Sequence, residues 1–266
     1  MSKILILDGD ESFGFRFAKD YGDANKIQSL FPLKGIEKFA ESLMELHDDY
    51  DFIINNFDIP FYSKNKNYIE MNYGIQGLIN EKFQNGKKIL LSNQLVYSSS
   101  SAIKNEESAT IPETEYGKAK LKAEELAKGN EHYLIIRRGM TYGKCTYNIY
   151  TDILAAIRSK MPIKLNNDII INPVLNSDLS IGVYKAMRDM DRGIINIAGE
   201  ETMTLYEFGR KLYYSIRDEP CPFIKSYLGQ NLDYSIDSSR AEKLYGLNFT
   251  GLEVVDFMDF QTYKGN

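Results

Sequence analysis

The stretch "KILILDGDESFGFRFAKDYG", Lys3 to Gly22, decides the fold. An apolar run, Ile4 to Leu7, leads into a glycine-bearing turn and then an amphipathic segment, so the order is strand, turn, helix. Such a turn presents the first amides of its helix to an anion. The chemistry here works against that use: Asp8, Asp10 and Glu11 crowd the turn, and only Gly9 and Gly14 supply glycine.

The same alternation continues outward. Short apolar runs predict strands over Lys3 to Leu7, Lys26 to Phe31, Asp51 to Asn56, Lys88 to Ser92 and His132 to Arg137. Between them, helical patterns occupy Phe13 to Tyr21, Ile36 to His47, Tyr68 to Phe83 and Glu115 to Lys128. Runs such as "DFIIN" and "KILLS" are apolar on both alternating faces, as in strands covered by helices on two sides. Strand and helix alternating at this spacing predict an α/β fold, a Rossmann-like doubly wound parallel sheet with right-handed crossovers. After Gly143 the pattern loosens. A helix is expected near Asn148 to Ser159, a weak strand around Ile163, "IIINPVL" from Ile169, a helix over Asp178 to Asp189, "GIINIAG" from Gly193 and a helix over Leu205 to Ile216. The expected division is a first domain over 1–143 and a mixed part over 144–266. The latter partly completes the sheet and partly forms a small substrate lobe.

Composition narrows the functional classes. The chain has 266 residues, 32 basic against 37 acidic, a net charge of -5 and no Lys/Arg block, which argues against nucleic-acid or polybasic membrane partners. Cys145 and Cys221 form no Cys-x-x-Cys pair, and His47 and His132 are the only histidines. Zinc and Ser-His-Asp chemistry lose their usual residues, and no metal is expected. A reducing, cytoplasmic setting fits two distant cysteines. No 18-residue apolar segment occurs, so no membrane span is expected.

The chemistry-bearing motif is "ETEYGKAKLKAEELAK". Ala, Leu, Lys and Glu make it strongly helical, and Tyr116 and Lys120, four apart, share one face. A tyrosine, with a pKa of about 10, becomes an effective proton carrier when a nearby ammonium favours its phenolate. Tyr62 and Lys66 have the same spacing but follow Pro60 in a loop. The long polar stretch from Val96 to Gly117 runs into the motif, and long loops inside compact domains are commonly functional.

Read in order, the glycine turn, "INN" at Ile54 to Asn56, "LLSNQLVYS" at Leu90 to Ser98, "YGKAK" at Tyr116 to Lys120, "RRGMTYG" at Arg137 to Gly143 and "INPVLNSDL" at Ile171 to Leu179 resemble the extended short-chain dehydrogenase/reductase family. The nearest look is to its nucleotide-sugar epimerases and dTDP-dehydrorhamnose reductases. That resemblance implies NAD or NADP as cofactor, a nucleotide-sugar substrate and a homodimer through the helix of Tyr116 and the helix before it. It implies Tyr116 as acid/base, Lys120 as its partner on the nicotinamide ribose, and Asn93 at the place of a catalytic Ser or Thr. Cofactor contacts would come from Gly9, Ser12, Phe13, Gly14, Asn55, Asn56, Phe57, Ser92, Gly139 and Met140, alongside Tyr116 and Lys120. Asn93, Tyr142 and Asn172 would meet substrate, with Asp178 bordering the cleft. Simpler roles stand beside these: Asn172 as a turn cap, Asp178 as a helix N-cap and Tyr142 as a core aromatic.

The chain departs from the family in three places. Three-residue glycine spacing falls on Gly9, Ser12 and Phe15, with Gly14 one place early, unless the turn is shifted to use Gly14. Asn93 cannot relay a proton as a hydroxyl does, although Ser92 and Ser98 flank it. The second strand carries no acid for an adenosine ribose, and Lys34 is a faint pointer to a 2'-phosphate. The expected function is an NAD(P)-dependent reductase or epimerase on a nucleotide-activated sugar, with Tyr/Lys acid-base chemistry. The alternative, which the altered glycine loop and Asn93 raise, is a catalytically silent member of the fold with a regulatory, scaffold or nucleotide-sugar-binding role.

Overall fold

A computed structural model describes residues 1–8, 12–31, 36–58, 68–100, 102–143, 148–189 and 192–252. Gly9, Asp10, Glu11, Lys34, Tyr62, Lys66 and Cys145 lie outside these residues, as does the side chain of Ser12.

Strands β1 (Lys3–Asp8), β2 (Lys26–Leu30), β3 (Phe52–Asn56), β4 (Lys87–Asn93) and β5 (Tyr133–Arg138) join strand Gly193–Ile197 in one six-stranded sheet. The order across it is β2-β1-β3-β4-β5 and then Gly193–Ile197, and every pairing is parallel. Alternate side chains go to opposite faces. Ile4, Ile6, Ile54, Ile89, Leu91 and Ile136 pack on one side, with Phe13 and Phe17 of α1 (Ser12–Tyr21) and Val183 and Met187 of α6 (Asn176–Asp189). Leu5, Leu7 and Ile53 pack on the other, under α2 (Ile36–Glu45) and α3 (Tyr68–Lys82). Leu90 and Ile135 continue that second face under Ala123 and Ala127 of α4 (Glu115–Ala127). This two-sided burial explains the unbroken apolar runs. Each such Ile or Leu contributes about 1.5–3 kcal/mol by leaving water.

The remaining chain builds a second core beside the sheet. Tyr142, Tyr150, Ile153, Leu165, Phe208, Leu212 and Phe223 pack together, using α5 (Ile149–Ser159) and α7 (Leu205–Ile216). A capping box fixes the start of α7: Thr204 accepts from the Glu207 amide and the Glu207 carboxylate accepts from the Thr204 amide. Helix α8 (Ser239–Tyr245) returns to the sheet through Ala241. "IIINPVL" is not one strand. Asn172 and Pro173 interrupt it, so Ile169–Ile171 pairs with Leu232–Asp233 and Met203–Thr204, while Val174–Leu175 pairs with Thr141–Tyr142. Proline removes a ladder donor, which accounts for the break.

The strand order fixes where a ligand meets this sheet. From β1 the chain crosses to β2 on one side and then returns to β3 on the other, so the crevice lies beyond the carboxyl ends of β1 and β3.

Candidate active site

Three strand ends and one helix assemble the site. Strand β3 ends in Asn56 and passes through Phe57 to Asp58; β4 ends in Asn93; β5 ends in Arg138, paired with Asn93. Helix α4 lies across these ends because Thr114 caps it, accepting from the Gly117 amide at 3.0 Å, and because Gly117 has no side chain. A Cβ at Gly117 would stand 2.2 Å from the Leu95 carbonyl oxygen. The glycine of "YGKAK" thus lets α4 rest on the 3-10 turn Gln94–Val96 that follows β4.

Tyr116 and Lys120 are both buried and converge on one carboxylate. The Tyr116 hydroxyl donates to Asp58, with both carboxylate oxygens at 2.8 Å. Lys120 Nζ donates to the Phe57 carbonyl at 3.1 Å and lies 3.3 Å from Asp58 Oδ1. Arg138 Nη2 lies 3.1 Å from Asp58 Oδ2. Burial opposes the charge of Asp58, but the Lys120 and Arg138 cations and the Tyr116 hydrogen bond outweigh it, holding its pKa below the usual carboxylate value. One carboxylate here serves two cations and a phenol. The hydrogen of the Tyr116 hydroxyl is committed to the chain's own acid.

Asn93 and Ser92 are also engaged. Asn93 caps the 3-10 turn, its side chain accepting from the Leu95 amide at 2.8 Å. Ser92 is fully buried, and its hydroxyl donates to Glu124 Oε1 at 2.6 Å. Asn55 donates to Gln76 at 2.9 Å and accepts from the Phe57 amide at 3.0 Å. Phe57 packs in the core against Phe39, and Phe13 against Phe17.

A separate group of the expected residues gathers around the break after Ile171. Asn172 donates to the carbonyls of Gly199 and Ile236 and accepts from the Ile236 amide. Gly139 fits against it: a Cβ there would be 2.6 Å from the Asn172 carbonyl oxygen and 2.8 Å from Ala198 Cβ. Met140 accepts from the Val174 amide and packs on the second core. Tyr142 is buried there and donates to the Thr250 carbonyl at 3.1 Å; burial pushes its hydroxyl pKa well above the usual range. Asp178 is not the N-cap of α6, which begins at Asn176. From the first turn its carboxylate takes the Thr250 amide at 2.6 Å, which ties down the chain after α8.

The long polar segment is anchored from below by buried Lys104, which donates to the carbonyls of Ser100 and Asp233 and forms a bridge with Ile236. Glu113 holds Ser99 at its other end.

At the β1/β3 crevice, Gly14 makes the close approach of helix to strand. A Cβ on it would be 2.9 Å from Asp8 Oδ2 and 3.4 Å from both Ile6 and Ser29, whereas Phe15 points outward and is exposed. Gly14 therefore occupies the packing position assigned to Phe15 by the spacing from Gly9, and counting back in threes leads to Glu11 and Asp8. Asp8 is 0% exposed; its carboxylate accepts from the Gly14 amide at 2.5 Å and from Asn56 Nδ2 at 2.6 Å. A dinucleotide brings a doubly charged pyrophosphate to the first turn of this helix. With a buried carboxylate already seated there, the described residues do not fit that group.

Asp58 and Arg138 were not singled out from the sequence. Their signal was positional: each is a charged residue at, or just past, the carboxyl end of a central strand.

The model of the RmlD substrate binding domain matches residues 85–228, more than half of the chain. No curated protein matches by sequence. Among solved structures, UDP-glucuronic acid 4-epimerase from Bacillus cereus, in complex with UDP-glucuronic acid and NAD, superposes with a TM-score of 0.81 at 18% identity, covering 97% of this chain and 98% of that one. The dTDP-glucose 4,6-dehydratase from Bacillus anthracis, in complex with NAD, gives 0.79 at 16% identity, covering 100% and 97%. A hypothetical dTDP-4-dehydrorhamnose reductase from Sulfolobus tokodaii gives 0.79 at 17%, covering 94% and 98%. At these identities the likeness establishes a shared fold. No helix among the described residues is long and apolar enough to cross a membrane.

Proposed function

The chain belongs to the RmlD substrate binding domain family, and on that premise we propose that it binds a nucleotide-activated sugar without dinucleotide-dependent turnover, in a regulatory or scaffold role. The observation that carries this reading is the closure of Tyr116 and Lys120 on Asp58. A phenol whose hydrogen is held by a carboxylate, beside an ammonium already shared between that carboxylate and a backbone carbonyl, is arranged for structure more than for proton transfer. Asn93 supports the same reading, since its side-chain oxygen caps a turn.

The second reading is an NAD(P)-dependent reductase or epimerase on such a sugar. It is favoured by the intact placement of Tyr116 and Lys120 on one helix face, with Nζ 5.6 Å from the ring centroid. Thermal shift and calorimetry with NADH, NADPH and UDP-, GDP- and dTDP-sugars separate the two. We expect at least one nucleotide sugar to raise the melting temperature and neither dinucleotide to do so. Stabilisation by a dinucleotide, or turnover with one, would favour the enzyme instead.

A homodimer through α3 and α4 is part of the same proposal. Sedimentation equilibrium at micromolar protein should read twice the chain mass, and a monomer alone would remove it.

A further inference from the structure

The β1/β3 crevice carries its own anion. Asp8 and Asn56 are register partners at the ends of the two strands, so the wound topology itself brings the carboxylate and the amide together beneath α1. Asp8 is fully buried, with Oδ2 on the Gly14 amide and Oδ1 on Asn56 Nδ2. The 2.9 Å that would separate a Gly14 Cβ from Asp8 Oδ2 shows how tightly the carboxylate fills the gap between strand end and helix. A second feature points the same way: Asn56 Oδ1 is buried and has no hydrogen-bond partner among the described residues. Phosphate oxygens are acceptors, so they can satisfy neither a carboxylate nor an orphaned amide oxygen. A hydrogen-bond donor can.

We infer that Asp8 is the residue that sets the ligand preference of this crevice, its buried carboxylate charge refusing a diphosphate and admitting one when that charge is removed. The positive end of α1 attracts an anion in either case; here the anion is covalently part of β1. The inference rests on the proposed function in one respect, that the unaltered chain takes no dinucleotide.

Asp8→Asn is the sharpest variant, because it keeps the shape and removes the charge. The new amide oxygen can take the Gly14 amide, and its nitrogen can donate to Asn56 Oδ1 once the Asn56 amide turns over. The protein should therefore stay folded. Asp8→Gly is the second variant and empties the place altogether. Calorimetric titration with inorganic pyrophosphate and with NADH, at low salt to limit screening, compares both with the unaltered chain. Circular dichroism and melting establish that each is folded. We expect no binding of either probe by the unaltered chain and at least tenfold tighter binding of both by the variants, equivalent to about 1.4 kcal/mol. Folded variants that bind no more tightly than the unaltered chain would overturn the role of Asp8 and leave the proposed function standing. Tight NADH binding by the unaltered chain would overturn both.

Discussion

Arg137 and Arg138 are neighbours on one strand, yet they end in ion pairs of different character. Arg137 points into the layer between β5 and α4, where it is 2% exposed and its partner Glu124 is 0% exposed. Its guanidinium meets Glu124 through Nε and Nη2, at 3.0 and 2.7 Å to the nearer oxygens, and meets the Tyr97 hydroxyl through Nη1. Tyr97 passes its own hydrogen to Asn196, and Ser92 fills the remaining side of Glu124. One acid balances one base, with neutral donors and acceptors closing the rest. Arg138, one residue further along, reaches the open edge. There it is 12% exposed and shares Asp58, 19% exposed, with Lys120 and Tyr116. Among the described residues, two cations meet one carboxylate there. A network closed by one acid and one base supports the fold; one at the sheet's carboxyl edge, partly exposed at Arg138 and Asp58, is placed to respond to a ligand.

Breaking the first network should have the larger effect on stability. Glu124→Ala leaves the Arg137 guanidinium buried without its counter-charge, and removal of one partner from a buried pair costs about 3–5 kcal/mol. Urea unfolding should show the midpoint falling with little change in slope. A loss below about 1 kcal/mol, the range of exposed pairs, would erase the contrast between the arginines.

Breaking the second should alter binding more than folding. Asp58→Asn keeps an acceptor for Tyr116 but takes the counter-charge from Lys120 and Arg138; the cost stays below that of the Glu124 variant because Lys120 keeps the Phe57 carbonyl and Arg138 is 12% exposed. A nucleoside diphosphate should then bind roughly tenfold more tightly at low salt, about 1.4 kcal/mol, with the gain shrinking as salt is added. Unchanged affinity would mean that these cations are as structural as Arg137. The acid limb of stability sharpens the same point with a smaller effect. Since the Asp58 pKa is lowered in the fold, its contribution is complete above the ordinary 3.8 and disappears as pH falls through the lowered folded value. Urea midpoints of the unaltered chain and the Asn variant should therefore converge below pH 3.8. A constant gap would show that Asp58 loses no stabilising charge there.

Much of the sheet was legible residue by residue. "KILIL", "FIIN" and "KILLS" are apolar at successive positions, which only a strand buried on both faces requires, and they became β1, β3 and β4. The helix of "YGKAKLKAEELAK" was legible from composition, and the shared face of Tyr116 and Lys120 from its period. What these side chains touch was not. Asp58 and Arg138 are 80 residues apart and meet because β3 and β5 flank β4 and end at one edge. Nothing local distinguishes either from an ordinary charge after a strand. Gly14 illustrates the same limit: spacing from Gly9 put Phe15 in the packing position, and only the seating of α1 on Ile6 and Ser29 chose between them.

The sequence by itself determined the wound sheet, the order of its elements and the helix that carries Tyr116, because burial and backbone propensity act through neighbours a few positions away. Tertiary structure decided the charges of the site. It placed Asp8 under the first turn of α1 and Asp58 between two cations, because the ends of β1, β3 and β5 are brought to one edge only when the whole sheet is wound.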